Sequence, residues 1–344
     1  MVYLLGELAC AYSRLPEGSS RVNDTILYLS RETVEKLGLK MAEVVEVVEG
    51  AFQDKGHGNV EMPPKPGIHT RPDAFIHAMP AYIKSSEAAG MKWISGYPQN
   101  SERGLPYISG LMILNDPATG FPISVMDATW LTAMRTGAAT AVAAKYLARP
   151  ESKTVAILGC GVQGRSNLQA LQVVLKSLDS VRAYDIRDEA AHRFSEECRF
   201  SRKVECTVCR SPEEAVRSAD VVVTAGPILR DPSPVIVPDW LKPGVFVCPL
   251  DFDSYVAPAT FHAADLFCTD DLNQLRYYQK AGYFRDIPSE PVDLADVATG
   301  LVSRKSASEV IISVNLGLAL EDVSTAQLIY RQALAQGAGV RLPL

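Results

Sequence analysis

Thr154-Val-Ala-Ile-Leu158-Gly159-Cys-Gly161-Val-Gln-Gly164 decides the fold. Four apolar residues in a row before a glycine turn predict a buried strand, and the residues from about Val162 onward predict a helix. A GxGxxG between such a strand and helix gives each glycine its own task. The first permits a tight turn, the second lets a pyrophosphate approach the backbone, and the third lets helix pack on strand. Unpaired N–H groups at the helix start, Val162 and Gln163 among them, offer positive charge to phosphates. A second strand, Ser180–Tyr184, ends at Asp185, 26 positions after Gly159. A carboxylate there accepts ribose hydroxyls and repels a 2′-phosphate, so NAD is expected and NADP less so. Arg187, two residues on, works against that preference.

Working outward, strand and helix patterns alternate downstream. A helix over Asp188–Cys198 and strands at Asp220–Thr224, Val245–Leu250 and Leu266–Cys268 follow. That alternation means a doubly wound parallel sheet covered on both faces. Upstream the grammar differs. Val34, Leu37, Met41, Val44, Val45, Val48 and Phe52 recur at helical spacing between Glu32 and Lys55. After a proline-rich passage come short β-like runs at Ala74–Met79, Gly90–Ser95, Ser109–Leu114 and Ile123–Met126. An alanine-rich helix, capped by Asp127 or Thr129, should run to Leu147, and a last helix from Leu320 to about Gln336. The expected fold is therefore α/β: a Rossmann domain over 130–314, and a discontinuous α+β domain from 1–129 and 315–344. The last helix should return to pack with the N-terminal part.

Composition narrows the function. The net charge of −6, with no long basic run, argues against nucleic acid or an anionic membrane surface as partner. The first twenty residues lack a basic n-region and Glu7 breaks their apolar stretch, so neither a signal peptide nor a membrane span is expected, and the default is a cytoplasmic protein. Seven scattered cysteines suit a reducing compartment. Cys206 and Cys209 have metal-like spacing, but they fall in an apparent strand with no second pair nearby, so no metal is expected.

The stretch before the Rossmann unit carries the chemistry. It reads Met91-Lys92-x-x-Ser95-x-x-Pro98-x-Asn100, Gly104-Leu-Pro106, Asp116-x-x-Thr119-Gly120-x-Pro122, Met126-Asp127 and Leu131-Thr132-x-x-Arg135-Thr136. Lys92 lies in a short apolar strand, where a charge needs an anionic partner. Arg135 lies on the alanine-rich helix, where its guanidinium can grip a carboxylate in bidentate fashion. An outward-facing lysine and a structural ion pair are the plainer alternatives. With Leu158-Gly-Cys-Gly-Val-Gln163 and Leu316-Gly-Leu-Ala-Leu-Glu-Asp322, these elements in this order resemble the ornithine cyclodeaminase/mu-crystallin family over roughly residues 30 to 335.

The resemblance implies roles for named residues. Lys92 and Arg135 would hold a substrate carboxylate, and Lys65 would stand in for an arginine that many members use for the same purpose, unless it is a solvated loop lysine. Asp253 falls where cyclodeaminases keep a proton-transferring aspartate, with Asp251 as rival; parity does not separate them, but Asp253 lies further toward the crevice. His77 replaces a glutamate that binds a cationic side chain, which speaks against ornithine. Thr136, Thr224, Asn315 and Gly317 would line the cofactor, the last two near its nicotinamide. The implied activity is NAD-dependent oxidation of a small L-amino acid to its imine, or ketimine reduction, by a homodimer. Ornithine cyclodeamination with recycled NAD is the enzymatic alternative. A crystallin-like protein that binds NAD and ligand without turnover is the alternative of another class.

Overall fold

Eight parallel strands form the sheet that carries the glycine turn, in the order Glu205–Val208, Ser180–Tyr184, Thr154–Leu158, Val221–Thr224, Phe246–Pro249, Ile311–Val314, Leu266–Thr269, Val292–Asp293. The computed structural model describes residues 25–344 except 72 and 203. The N-terminal stretch read above for targeting lies outside the described residues. Val155, Ala156, Ile157, Val221, Val222, Val223, Phe246 and Val247 are fully buried, as strands covered on both faces require. From Thr154–Leu158 the chain winds outward in one direction and then, through Val221–Thr224, in the other. The reversal between these two strands leaves a crevice beyond their carboxyl ends, where sheets of this kind take ligands. Ile311–Val314 joins the series between Phe246–Pro249 and Leu266–Thr269, a strand beyond those that the sequence pattern predicts.

The second sheet is mixed, also of eight strands. Phe75–Ile83, Ala88–Gly96, Ile108–Asn115 and Pro122–Asp127 form an antiparallel meander. Thr25–Leu29 then adds parallel to Pro122–Asp127, and Val340–Pro343 pairs with Thr25–Leu29 at the edge. The continuous helix expected from Glu32 to Lys55 is two helices, Arg31–Lys36 and Met41–Gly56. Gly38, at φ +73, breaks them, while Val34, Leu37, Met41, Val44 and Val48 stay buried on both sides. The apolar period therefore survives a break that hydrophobicity alone does not reveal. The helix after the glycine turn ends at Val174, and Leu175 and Leu178 beyond it remain in the core.

Helix Thr129–Leu147 stands between the two sheets. Its alanines at 138, 139, 141, 143 and 144 are buried, and a Cβ on Gly137 would lie 2.6 Å from Ser166 O. Small residues let this helix press against helix Val162–Val174. Asp127 supports its start by accepting from Thr129 N at 2.9 Å, although Ala128 is the cap residue. The final helix, Ala319–Gln336, packs on Met41–Gly56, on Thr129–Leu147 and on the meander, and thus returns to the N-terminal part. Among the described residues no helix is long and apolar enough to cross a membrane.

Candidate active site

The glycine turn is built for a phosphate. Gly159 has φ +102, and a Cβ there would come within 2.6 Å of Ala225 O across the crevice. A Cβ on Gly164 would strike Gly159 O, whereas one on Gly161 would meet nothing within 4 Å. The second glycine thus faces open space at the start of a helix whose cap residue offers no side-chain acceptor, leaving N–H groups for an anion. Arg165 braces the turn from behind: it donates to Cys160 O and Gly161 O and pairs with Glu197 at 2.6 and 2.7 Å. Asp185 is nearly buried and accepts from Cys160 N at 2.8 Å and Arg187 N at 2.9 Å. Each carboxylate oxygen keeps a lone pair for a ribose hydroxyl. The Arg187 guanidinium, 3.7 Å from Asp185, is two-thirds exposed. These features fit a dinucleotide. The hydroxyls of Thr224 and Thr136 are already engaged, with Asp251 at 2.6 Å and with Thr132 O at 2.8 Å.

Three buried cations gather beside this crevice. Lys92 points inward from Ala88–Gly96, between Met79 and Met112 in the sheet register. It is 0% exposed and donates to Asp322 Oδ1 at 2.6 Å and Thr132 Oγ1 at 3.3 Å. Arg135 reaches Glu321 Oε2 at 2.6 Å and Asp322 Oδ1 at 2.9 Å. A Cβ on Gly317 would lie 2.5 Å from Arg135 Nη1, so this glycine makes room for the guanidinium. Lys65 is buried too, and its ammonium donates to Leu316 O at 2.5 Å and Gly317 O at 2.9 Å. It is no solvated loop lysine. Burial, and then the neighbouring Arg135, push Lys92 down to about 7 and Lys65 down to about 8. Arg135 is held above its ordinary value because Asp322 and Glu321 outweigh its burial. The plainer reading of Arg135, a structural ion pair, is therefore present.

The adjacent acids Glu321 and Asp322 are the counter-charges of this cluster, a role that the family motif containing them does not announce. Their signal was two consecutive carboxylates in the first turn of a buried helix, where charge is otherwise rare. His77 is nine-tenths buried and stacks on Phe75 with ring centroids 4.3 Å apart. Burial, then Lys65, His69 and Lys92, lower it to about 3, so it stays neutral.

The two aspartates after strand Phe246–Pro249 have parted ways. Phe252 between them adopts φ +62, so the strand geometry that would point both the same way does not extend to them. Asp251 is 0% exposed, accepts from Thr224 Oγ1 at 2.6 Å and Gly226 N at 2.8 Å, and is raised by burial to about 7. Its acceptors are spent on the loop opposite Gly159. Asp253 accepts from Phe284 N at 2.6 Å through one oxygen only. Its Oδ1 is buried without a partner, and burial raises the group. Asn315 Nδ2, Gln274 Nε2, the Tyr278 hydroxyl, Glu321 Oε1 and Asp322 Oδ2 are likewise buried without hydrogen bonds. Such atoms are rare in folded proteins; Arg149, Ser152, Asn167 and Thr325 each carry one as well.

A model of the ornithine cyclodeaminase/mu-crystallin family matches residues 25–337. The chain belongs to this family. Alanine dehydrogenase of Archaeoglobus fulgidus is 35% identical over 328 residues, covering 92% of this chain and 98% of that one. Among solved structures, the Δ1-pyrroline-2-carboxylate reductase of Thermococcus litoralis, in complex with NADH and L-proline, superposes with a TM-score of 0.83 at 33% identity. The match covers 92% of this chain and 100% of that one. An archaeal alanine dehydrogenase dimer with bound NAD gives 0.82 at 34%, covering 92% and 99%.

Proposed function

We propose that this enzyme uses NAD to move a hydride at the α-carbon of a small L-amino acid, as a dehydrogenase or, in reverse, a ketimine reductase. It falls in the class of NAD-dependent amino acid and imine oxidoreductases and cyclodeaminases. The carrying observation is the buried trio Lys65, Lys92 and Arg135 beside a crevice that also holds Asp253 with one unclaimed oxygen. When bound, NAD supplies the acceptor for the substrate hydride, and NADH the donor. The trio grips the carboxylate and fixes the α-carbon. Asp253 takes a proton from the substrate nitrogen as C–N becomes C=N, and returns it in the other direction. Asp185 receives the ribose hydroxyls, Gly161 and the N–H groups of Val162 and Gln163 the pyrophosphate, and Asn315 and Gly317 lie toward the nicotinamide. The test is a panel of L-amino acids and of α-keto acid/amine pairs, followed by NADH absorbance. Net NADH from a small neutral amino acid supports the reading. Ammonia release from ornithine with no net NADH would replace it with cyclodeamination. Neutral His77 gives a diamino acid no counter-charge, so L-ornithine should be the poorer substrate.

Two expected results arise from the same residues. Asp185→Ser should narrow or reverse the preference for NADH over NADPH, read from dissociation constants, because the like charge facing a 2′-phosphate is gone. Tighter NADPH binding by the unaltered protein would overturn that role. Lys92 and Lys65 attract a carboxylate only while protonated, so kcat/KM should fall on the alkaline side, starting between about 7 and 8. A profile flat to pH 9.5 would contradict the assignment.

The assembly we propose is a homodimer closing on the outer face of the mixed sheet. Pro80, Met91, Ile113, Val125, Tyr28 and Val340 form one apolar rung across six strands, and Trp93 and Leu111 stand beside it, 44% and 47% exposed. A face of this kind is a usual mark of an interface. Sedimentation should show twice the monomer mass, and Trp93→Glu should yield monomer. A monomeric unaltered chain would refute this. Among the described residues no cysteine is in a disulfide, and the setting we propose is the cytoplasm.

A further inference from the structure

Helix Leu272–Lys280 presents two buried polar groups that the fold leaves unbonded. Gln274 is 2% exposed; its Oε1 accepts from the backbone N–H of Lys65 at 2.8 Å, but its Nε2 has no partner. Tyr278, four residues on and so on the same helix face, keeps its hydroxyl unbonded. Its ring centroid lies 5.4 Å from Lys65 Nζ and 4.6 Å from that of Phe252. This face of the helix therefore spans the gap from Lys65 to the turn that carries Asp253. The helix start is rigid: Asp271 caps it by accepting from Gln274 N at 2.6 Å, and Lys55 bonds Asp271 at 2.8 Å and Asp293 at 2.7 Å. An amide so fixed, with one end used and the other buried and idle, is completed by a ligand acceptor.

We infer that Gln274 is a further substrate-binding residue, whose Nε2 donates to the substrate carboxylate beside Lys65, with Tyr278 as the wall of the same subsite. The inference rests on the assignment of Lys65 to that carboxylate. A carboxylate offers about four lone pairs, enough for Lys65, Arg135 and an amide together.

Gln274→Glu keeps the acceptor for Lys65 N, but removes the donor and adds a charge that repels a carboxylate; Gln274→Met removes the donor without adding charge. KM is measured for the best amino acid of the panel, together with the inhibition constant of propionate, a bare carboxylate probe. NADH binding reports that each variant is folded. Both constants should rise about 10- to 100-fold, as for loss of a hydrogen bond to a charged group, while kcat stays within about threefold. Unchanged KM and propionate inhibition in Gln274→Glu would overturn the inference. Lys65→Met separates the layers. If it raises KM and Gln274→Glu does not, Lys65 keeps its role and Gln274 loses its own. If Lys65→Met also leaves KM unmoved, the carboxylate assignment falls and the inference with it.

Discussion

Asp253→Asn is expected to bind NADH and substrate, yet to lose roughly two to four orders of magnitude in kcat. The amide keeps the size of the side chain and an acceptor for Phe284 N, but it cannot take the proton that leaves the substrate nitrogen. Asp251→Asn should behave differently. Its carboxylate holds Thr224 Oγ1 and Gly226 N, so the variant disturbs the loop facing Gly159, and NADH affinity should weaken more than the chemical step. Transient kinetics with preformed enzyme–NADH separates the two. If Asp251→Asn abolishes the chemical step while Asp253→Asn spares it, the proton-transfer residue has been placed two positions too far along the chain.

Arg135→Ala should lower kcat/KM by on the order of 3 kcal/mol in transition-state terms and also destabilise the protein. The structure explains the second effect: without the guanidinium, the fully buried Glu321 and Asp322 keep only Lys92 as a bonded counter-charge. Breaking a buried pair from one side costs on the order of 3–5 kcal/mol, because a charge is left uncompensated. The two roles separate in the double variant Arg135→Ala with Glu321→Gln. Neutralising the stranded acid should recover much of the thermal stability and none of the turnover. If activity returns together with stability, Arg135 serves the fold alone.

The Rossmann half was legible because its signals are local: strand, glycine turn, helix and acid all lie between Thr154 and Asp185. The cations of the site were legible singly. Their partners were not, since Arg135 meets Glu321 across 186 positions and Lys92 meets Asp322 across 230. Periodicity carries no register between segments so far apart. The same holds for edge strand Val340–Pro343, which pairs with Thr25–Leu29 from the other end of the described chain. The divergence of Asp251 and Asp253 turns on a left-handed Phe252, a conformation that a phenylalanine does not announce. Lys65 was ambiguous in a proline-rich loop, and only the carbonyls of Leu316 and Gly317 show why a lysine can be buried there.

The most direct measurement of the central claim follows the hydrogen itself. The enzyme is incubated with NAD and a panel of small L-amino acids deuterated at the α-carbon, and the NADH formed is analysed by mass spectrometry. The account predicts that at least one small neutral amino acid yields NADH one mass unit heavier, with the deuterium on the nicotinamide ring and a slower rate than for the protiated substrate. Absence of labelled NADH across the panel, or ammonia release from L-ornithine with no accumulation of NADH, would contradict it.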